Sequence, residues 1–202
     1  ADVVLPLVCE PCNNPCFRIS ITGLLGGHSG IMINEGRQNA DKLLGELLVS
    51  LPSFKLVSIG GGFKDNVIPN AAECVLSTDA AREEIETATA KFVETHRVAT
   101  DPDLSVSVCD APKSELCLDR HSTDTITEFL TAVPFGVQAM SEHMKGLVQS
   151  SLNLGVIRID DANGKKQFHA VLSVRSSVAA EKQDMLDRLQ ALAASLGASF
   201  SV

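Results

Sequence analysis

The chain of 202 residues contains no tryptophan and no tyrosine, and its eight phenylalanines make up all of its 4% aromatic content. A surface built on base stacking needs aromatic faces, so single-stranded nucleic-acid binding is not expected. Positive charge is also short. Seventeen Lys and Arg stand against 25 Asp and Glu, a net charge of −8. That balance argues against phosphate-backbone partners. No apolar run approaches the roughly 18 residues a membrane helix needs. No signal-peptide pattern is visible, and a cytoplasmic protein without a membrane partner is expected. The chain also has no Gly-x-Ser-x-Gly elbow, no Lys-bearing phosphate loop, no His-x-Asp and no His-Glu-x-x-His. A complete, self-contained active site is therefore not visible.

What is present suits a folded core, with 45% apolar residues. Six cysteines occur, three of them in Cys9-Glu10-Pro11-Cys12-Asn13-Asn14-Pro15-Cys16. A structural zinc site needs four ligands, and no fourth lies at a usual spacing. With two prolines and two asparagines, the segment reads as a linker carrying free thiols. The chain is strand-like at once from Ala1 and again at Ser199 to Val202, which suggests an excised domain.

Periodicity organises the rest. Phe17 to Leu25 alternates as a strand. Asn39 to Leu51 places Leu43, Leu44, Leu47, Leu48 and Leu51 on one helical face, with Asn39 as N-cap and Pro52 beyond the end. Strands follow at Phe54–Ile59 and Ala72–Thr78, a helix at Ala80–His96, and a strand at Leu104–Val108. The order βαββαβ is the ferredoxin-like unit. After a linker, Ser122–Val133 reads as helix and Val148–Ile159 and Gln167–Val178 as strands. Asn163-Gly164 between the strands favours a tight turn. Glu181–Leu196 is a helix with Gly197 at its C′ position, and Phe200 opens a last strand. The second half thus repeats the first without its opening strand. The expected fold is α+β: two related ferredoxin-like (βαββαβ-type) subdomains sharing a mainly antiparallel sheet with helices on one face. The expected divisions are a linker at 1–16, a first subdomain at 17–110, a linker at 111–121 and a second subdomain at 122–202.

Of five histidines, His28 stands apart, in Gly26-Gly27-His28-Ser29-Gly30 directly after a strand. Glycine lets the backbone adopt positive φ and approach another surface closely. The imidazole is either a surface side chain in a glycine turn or a donor to a developing oxyanion. His96, His121, His143 and His169 read as structural or solvated. Asn66, in Asp65-Asn66-Val67-Ile68-Pro69, is a loop amide that suits either an Asx-turn or a ligand. Asn153 and Gly155 interrupt a strand, which suggests close approach by a ligand or by backbone. Arg175 is either a bidentate carboxylate clamp or an outward strand residue.

Gly26-Gly27-His28-Ser29-Gly30, Gly36 to Leu44, Asp65-Asn66-Val67-Ile68-Pro69 and Ser151 to Ile157, in that order, resemble the lid or dimerisation domain of the aminoacyl-histidine dipeptidases. These belong to the dinuclear-zinc exopeptidases. The resemblance runs from about Phe17 to Val202. It implies that His28 is catalytic and stabilises the tetrahedral intermediate. It implies that Arg175 holds the substrate carboxylate, with Asn153 and Asn66 near the cleft. It also implies a dipeptide substrate, two zinc ions held by a separate catalytic domain absent from this chain, and a possible homodimer. No metal ligand and no cofactor is expected within these residues. A non-catalytic self-association module is the alternative.

Overall fold

Val3 and Leu5 are fully buried on a strand that opens the chain. The computed structural model describes residues 1–162 and 164–202. Residues 1–16, expected as a linker, supply β1 (Asp2–Pro6) and β2 (Cys9–Pro11). The first half continues with β3 (Cys16–Thr22), β4 (Gly27–His28), α1 (Ala40–Ser50), β5 (Lys55–Gly62) and β6 (Val67–Ile68). It ends with β7 (Ala72–Ser77), α2 (Arg82–His96) and β8 (Ser105–Ala111). Next come β9 (Leu116–Leu118), α3 (Arg120–Ala132), β10 (Gly136–Met140) and β11 (Val148–Ala162). The last elements are β12 (Lys165–Ser176), α4 (Ala179–Ser195) and β13 (Ser199–Ser201).

The main sheet runs β13-β1-β12-β11-β5-β7-β3-β8, with β10 added beside β11. Its recorded pairs are all antiparallel. The order reads the same in topology from both edges. One half is β3-α1-β5-β7-α2-β8 and the other is β1-α3-β11-β12-α4-β13. Each is the expected βαββαβ unit, and β1 is the opening strand that the second half lacks in sequence order. The halves join where Gly60 to Gly62 of β5 pair with Val156 to Arg158 of β11.

Amphipathic helices cover the core. Asn39 caps α1 by accepting from the backbone N–H groups of Asp41 (2.9 Å) and Lys42 (3.2 Å). Leu43, Leu44, Leu47 and Leu48 are buried along its face. Each such leucine contributes about 1.5–3 kcal/mol by leaving water. At the centre α1 packs on α3. There Lys42 donates to the carbonyls of Leu130, Thr131 and Val133 at the end of α3. Those acceptors hold a cation where the helix dipole is negative. Burial lowers this lysine to about 8.

The second expected linker, 111–121, contains β9, which pairs with β2. This ribbon buries Cys12, Cys16 and Cys117 together, with the first two sulfurs 3.8 Å apart. All six cysteines are free thiols. Burial pushes Cys16 up and Cys117 up to about 11, so these thiols stay protonated and act as small apolar filler. The expected Asn163-Gly164 turn rests on residue 163, which lies outside the described residues.

Candidate functional site

The segment from Leu25 to Gln38 links β3 to α1 and carries His28 on its short strand β4. Local hydrogen bonds shape the turn that follows. The His28 carbonyl accepts from the N–H groups of Ile31 (3.0 Å) and Met32 (2.9 Å). Gly27 and His28 pair with Ile68 and Val67, and the Ser29 N–H donates to the Asn66 carbonyl (2.9 Å). The His28 ring is half-buried. Its Nδ1 accepts from the Gly30 N–H at 3.1 Å. In the neutral ring that bond selects the Nε2–H tautomer, and Nε2 has no partner among the described residues. The imidazole is therefore oriented by one nitrogen and available as a donor through the other.

Arg175, from the other half of the fold, reaches the same place. Gly30 has no side chain, and a Cβ built there would lie 2.9 Å from Nη1 of Arg175 and 3.1 Å from Cε1 of His28. The guanidinium is exposed and has no ion pair or hydrogen bond among the described residues. A donor and an unpaired cation thus stand together over one small residue.

Asn153 plays a different part from a direct contact. It is only 2% exposed. Its Nδ2 donates to the carbonyls of Asp65 and Val67, both at 2.9 Å, and its Oδ1 accepts from Asn39 at 3.4 Å. Both amide hydrogens are committed, so this side chain holds the 65–67 loop in place. That loop in turn pairs with the His28 strand. The Asn66 side chain is half-buried with no hydrogen bond among the described residues. It remains available beside the His28 turn.

The other histidines sit apart from this group. His96 stacks on Phe92 with ring centroids 3.8 Å apart. His169 bonds Asp2 at 2.8 Å, which ties β1 to β12. His121 and His143 are exposed. Two grooves of about 660 and 640 Å³ border α1, and neither includes His28 or Arg175 in its lining. The pair stands at the surface, His28 half-buried and Arg175 exposed.

Sequence reasoning missed Asp101 and Arg37. The Asp101 carboxylate accepts from the N–H of Leu25 (2.7 Å) and of Gln38 (2.8 Å), the two roots of the loop. Arg37 donates to the Gly26 carbonyl (2.5 Å) and pairs with Glu35 (2.8 Å). Neither residue carries a local signal of these partners.

Among the described residues, no group of three or more His, Cys, Asp or Glu could hold a metal ion. The side chains here do not fit a zinc pair.

No family model matches the chain. The cytosol non-specific dipeptidase of Escherichia coli (strain K12) is 28% identical over 195 residues, covering 93% of this chain and 39% of that protein. The crystal structure of aminoacylhistidine dipeptidase from Vibrio alginolyticus matches with a TM-score of 0.86 and 25% identity. That match covers 98% of this chain and 41% of the other. By sequence and by fold, this chain is similar to part of these two dipeptidases. It spans about two fifths of the length of the two proteins it matches. Among the described residues no helix is long and apolar enough to cross a membrane.

Proposed function

We propose that this chain is the lid domain of a zinc-dependent cytoplasmic dipeptidase resembling the aminoacyl-histidine dipeptidases. In this reading His28 and Arg175 are lent to a reaction whose metals are bound by polypeptide outside these residues. The supporting observation is the convergence of the His28 and Arg175 side chains on Gly30. The Nε2–H of His28 suits an oxygen that gains negative charge as a peptide carbonyl is attacked. The guanidinium of Arg175 suits the free carboxylate at the end of a dipeptide, which it can meet with two parallel hydrogen bonds. Asn66 lines the approach, and Asn153 acts through the loop it braces. Dipeptide hydrolysis also agrees with the similarity of this chain to two dipeptidases.

The test uses the full-length protein. His28→Ala is expected to lower kcat by about 10²–10³, the usual loss for one oxyanion donor, with little change in melting temperature. Arg175→Ala is expected to raise KM for dipeptides and leave amidated dipeptides unaffected. Unchanged turnover in the first variant would remove the role given to His28.

A second reading concerns assembly. β8 is an edge strand of seven residues whose outer side has no partner strand among the described residues. An open edge of that length can pair with a second copy of the chain. Light scattering separates monomer from dimer, and Val108→Pro would break such pairing. Both readings can hold in one protein.

A further inference from the structure

The loop that carries His28 is bonded at its roots to a connection remote from it in sequence. The turn from α2 to β8 contains Thr100 and Asp101. Asp101 is 0% exposed and lies between helix and strand. Its two oxygens serve different ends of one loop, Oδ1 taking the Leu25 N–H and Oδ2 the Gln38 N–H. Thr100 donates from its hydroxyl to the Gly36 carbonyl at 2.8 Å. These bonds draw the two roots of the His28 loop together. Beyond the roots, Arg37 reaches back to the Gly26 carbonyl, two residues before His28.

We propose that Asp101 is a positioning residue for His28: its carboxylate clasps the neck of the Leu25–Gln38 loop and so fixes the ring that the proposed reaction uses. The inference rests on the lid reading for its catalytic meaning, but its physical content is separable. Bonds from backbone N–H to a buried carboxylate are stronger than neutral ones. A loop closed at its neck also has fewer conformations open to it. With the neck released, the Gly30 N–H would no longer be held against Nδ1, and the ring would sample both tautomers and several rotamers. Asp101 touches neither substrate nor reacting atoms in this account.

The experiment needs only this chain and no substrate. Long-range proton–nitrogen correlation spectra report the tautomer of the His28 ring, and amide hydrogen exchange reports the neck. Wild type is expected to show Nδ1 as acceptor and Nε2 protonated. In Asp101→Asn the carboxamide keeps one acceptor oxygen and turns an NH2 toward the other amide, so exchange protection at one of Leu25 and Gln38 should fall by roughly tenfold to a hundredfold, the range for losing one bond to a charged acceptor. The His28 nitrogen shifts should move to those of a free, averaged imidazole. Protection within β3 and α1 should stay unchanged. Leu189→Ala, which loosens the core of the other half, serves as the control and should leave the His28 signature intact.

The proposal fails if the His28 shifts hold still while the neck loses protection. It also fails if the control abolishes the signature as fully as Asp101→Asn does. Should Asp101→Asn not fold, wild type alone decides under mild urea. Leu25, Gln38 and Gly30 amides should then open together with one shared denaturant dependence, and independent opening of Gly30 would overturn the clasp. None of these readouts involves peptide hydrolysis, so a failure of the dipeptidase reading shows separately, in His28→Ala turnover.

Discussion

Arg175 and His28 come from opposite halves of the fold and meet over Gly30, where a single added carbon would crowd both. The crowding falls on the far end of a flexible arginine at 2.9 Å and on an imidazole edge at 3.1 Å. Backbone is not struck, so the fold should tolerate the change while the site should not. Gly30→Ala is therefore expected to shift stability by no more than about 0.5 kcal/mol, as for most surface positions. KM for dipeptides should rise roughly tenfold, because a displaced guanidinium loses its paired geometry. Melting curves and Michaelis curves on the full-length protein check the two halves of this statement. Equal KM with lowered stability would mean that the convergence has no functional content.

Asn153 offers a second separation of roles. Its amide hydrogens hold two carbonyls of the 65–67 loop. Asn153→Ala leaves those carbonyls unpaired, at a cost of about 1–3 kcal/mol. Asn153→Asp places a carboxylate against the same carbonyls in a site only 2% exposed. Acceptor then faces acceptor, and a charge is buried without a partner. The aspartate variant is thus expected to be the less stable of the two in urea denaturation at pH 7. Raising acidity to protonate the new carboxyl should narrow the gap. If the two variants are equally stable at neutral pH, the hydrogen-bond account of Asn153 is wrong.

A third expectation concerns pH. Asp41 lies in the first turn of α1, fully buried, and neither carboxyl oxygen has a hydrogen-bond partner among the described residues. It faces Gly61, where a Cβ would lie only 1.8 Å from Oδ1. Burial pushes its carboxyl well above the usual carboxylate range. The folded chain therefore keeps a proton that the unfolded chain releases near pH 3.8. Over that window the native state binds more protons, so stability falls as pH rises, by up to about 1.4 kcal/mol per pH unit. The loss ends once pH passes the folded group's own pKa. Asp41→Asn removes this titration. Its stability relative to wild type should grow with each step from pH 4 upward in urea denaturation. A difference that stays flat from pH 4 to 7 would refute the assignment.

The four helices and the long strands were legible because their apolar residues recur at helical or alternating spacing, as in Leu43-Leu44-Leu47-Leu48. The His28 turn was legible as a turn because Gly26 and Gly27 both take positive φ. What the sequence hides is long-range pairing. Val3-Val4-Leu5 has a strand's character, but its place is set by Asp2 pairing with Val171, and nothing local records that. Gly136–Met140 lacks strict alternation, and its strand exists because β11 offers it an edge. Asp101 is the sharpest case. Its two backbone partners are 76 and 63 residues away, so only folding brings it to the roots of the His28 loop. Asn153 was visible as an odd polar residue in a strand, yet only its neighbours reveal that it braces a loop.

The placement of β1 gives a final expectation. It lies between β12 and β13 and is the sole element joining them in the sheet order. Val3 and Leu5 are buried, Asp2 bonds His169, and five residues of β1 are in register with β12. Removing residues 1–6 would strip these contacts at once. It would expose the inner edge of β12 and leave β13 with no strand to pair. The first half keeps its complete βαββαβ set, since β3 and β5 to β8 are untouched. The truncated chain should therefore lose cooperative melting, with α4 and β13 becoming sensitive to protease before residues 17–110 do. Limited proteolysis followed by mass spectrometry reads the order of cleavage. A linker would behave otherwise: its loss would leave one melting transition at nearly the original temperature, and that result would mean β1 is not part of the second half's core.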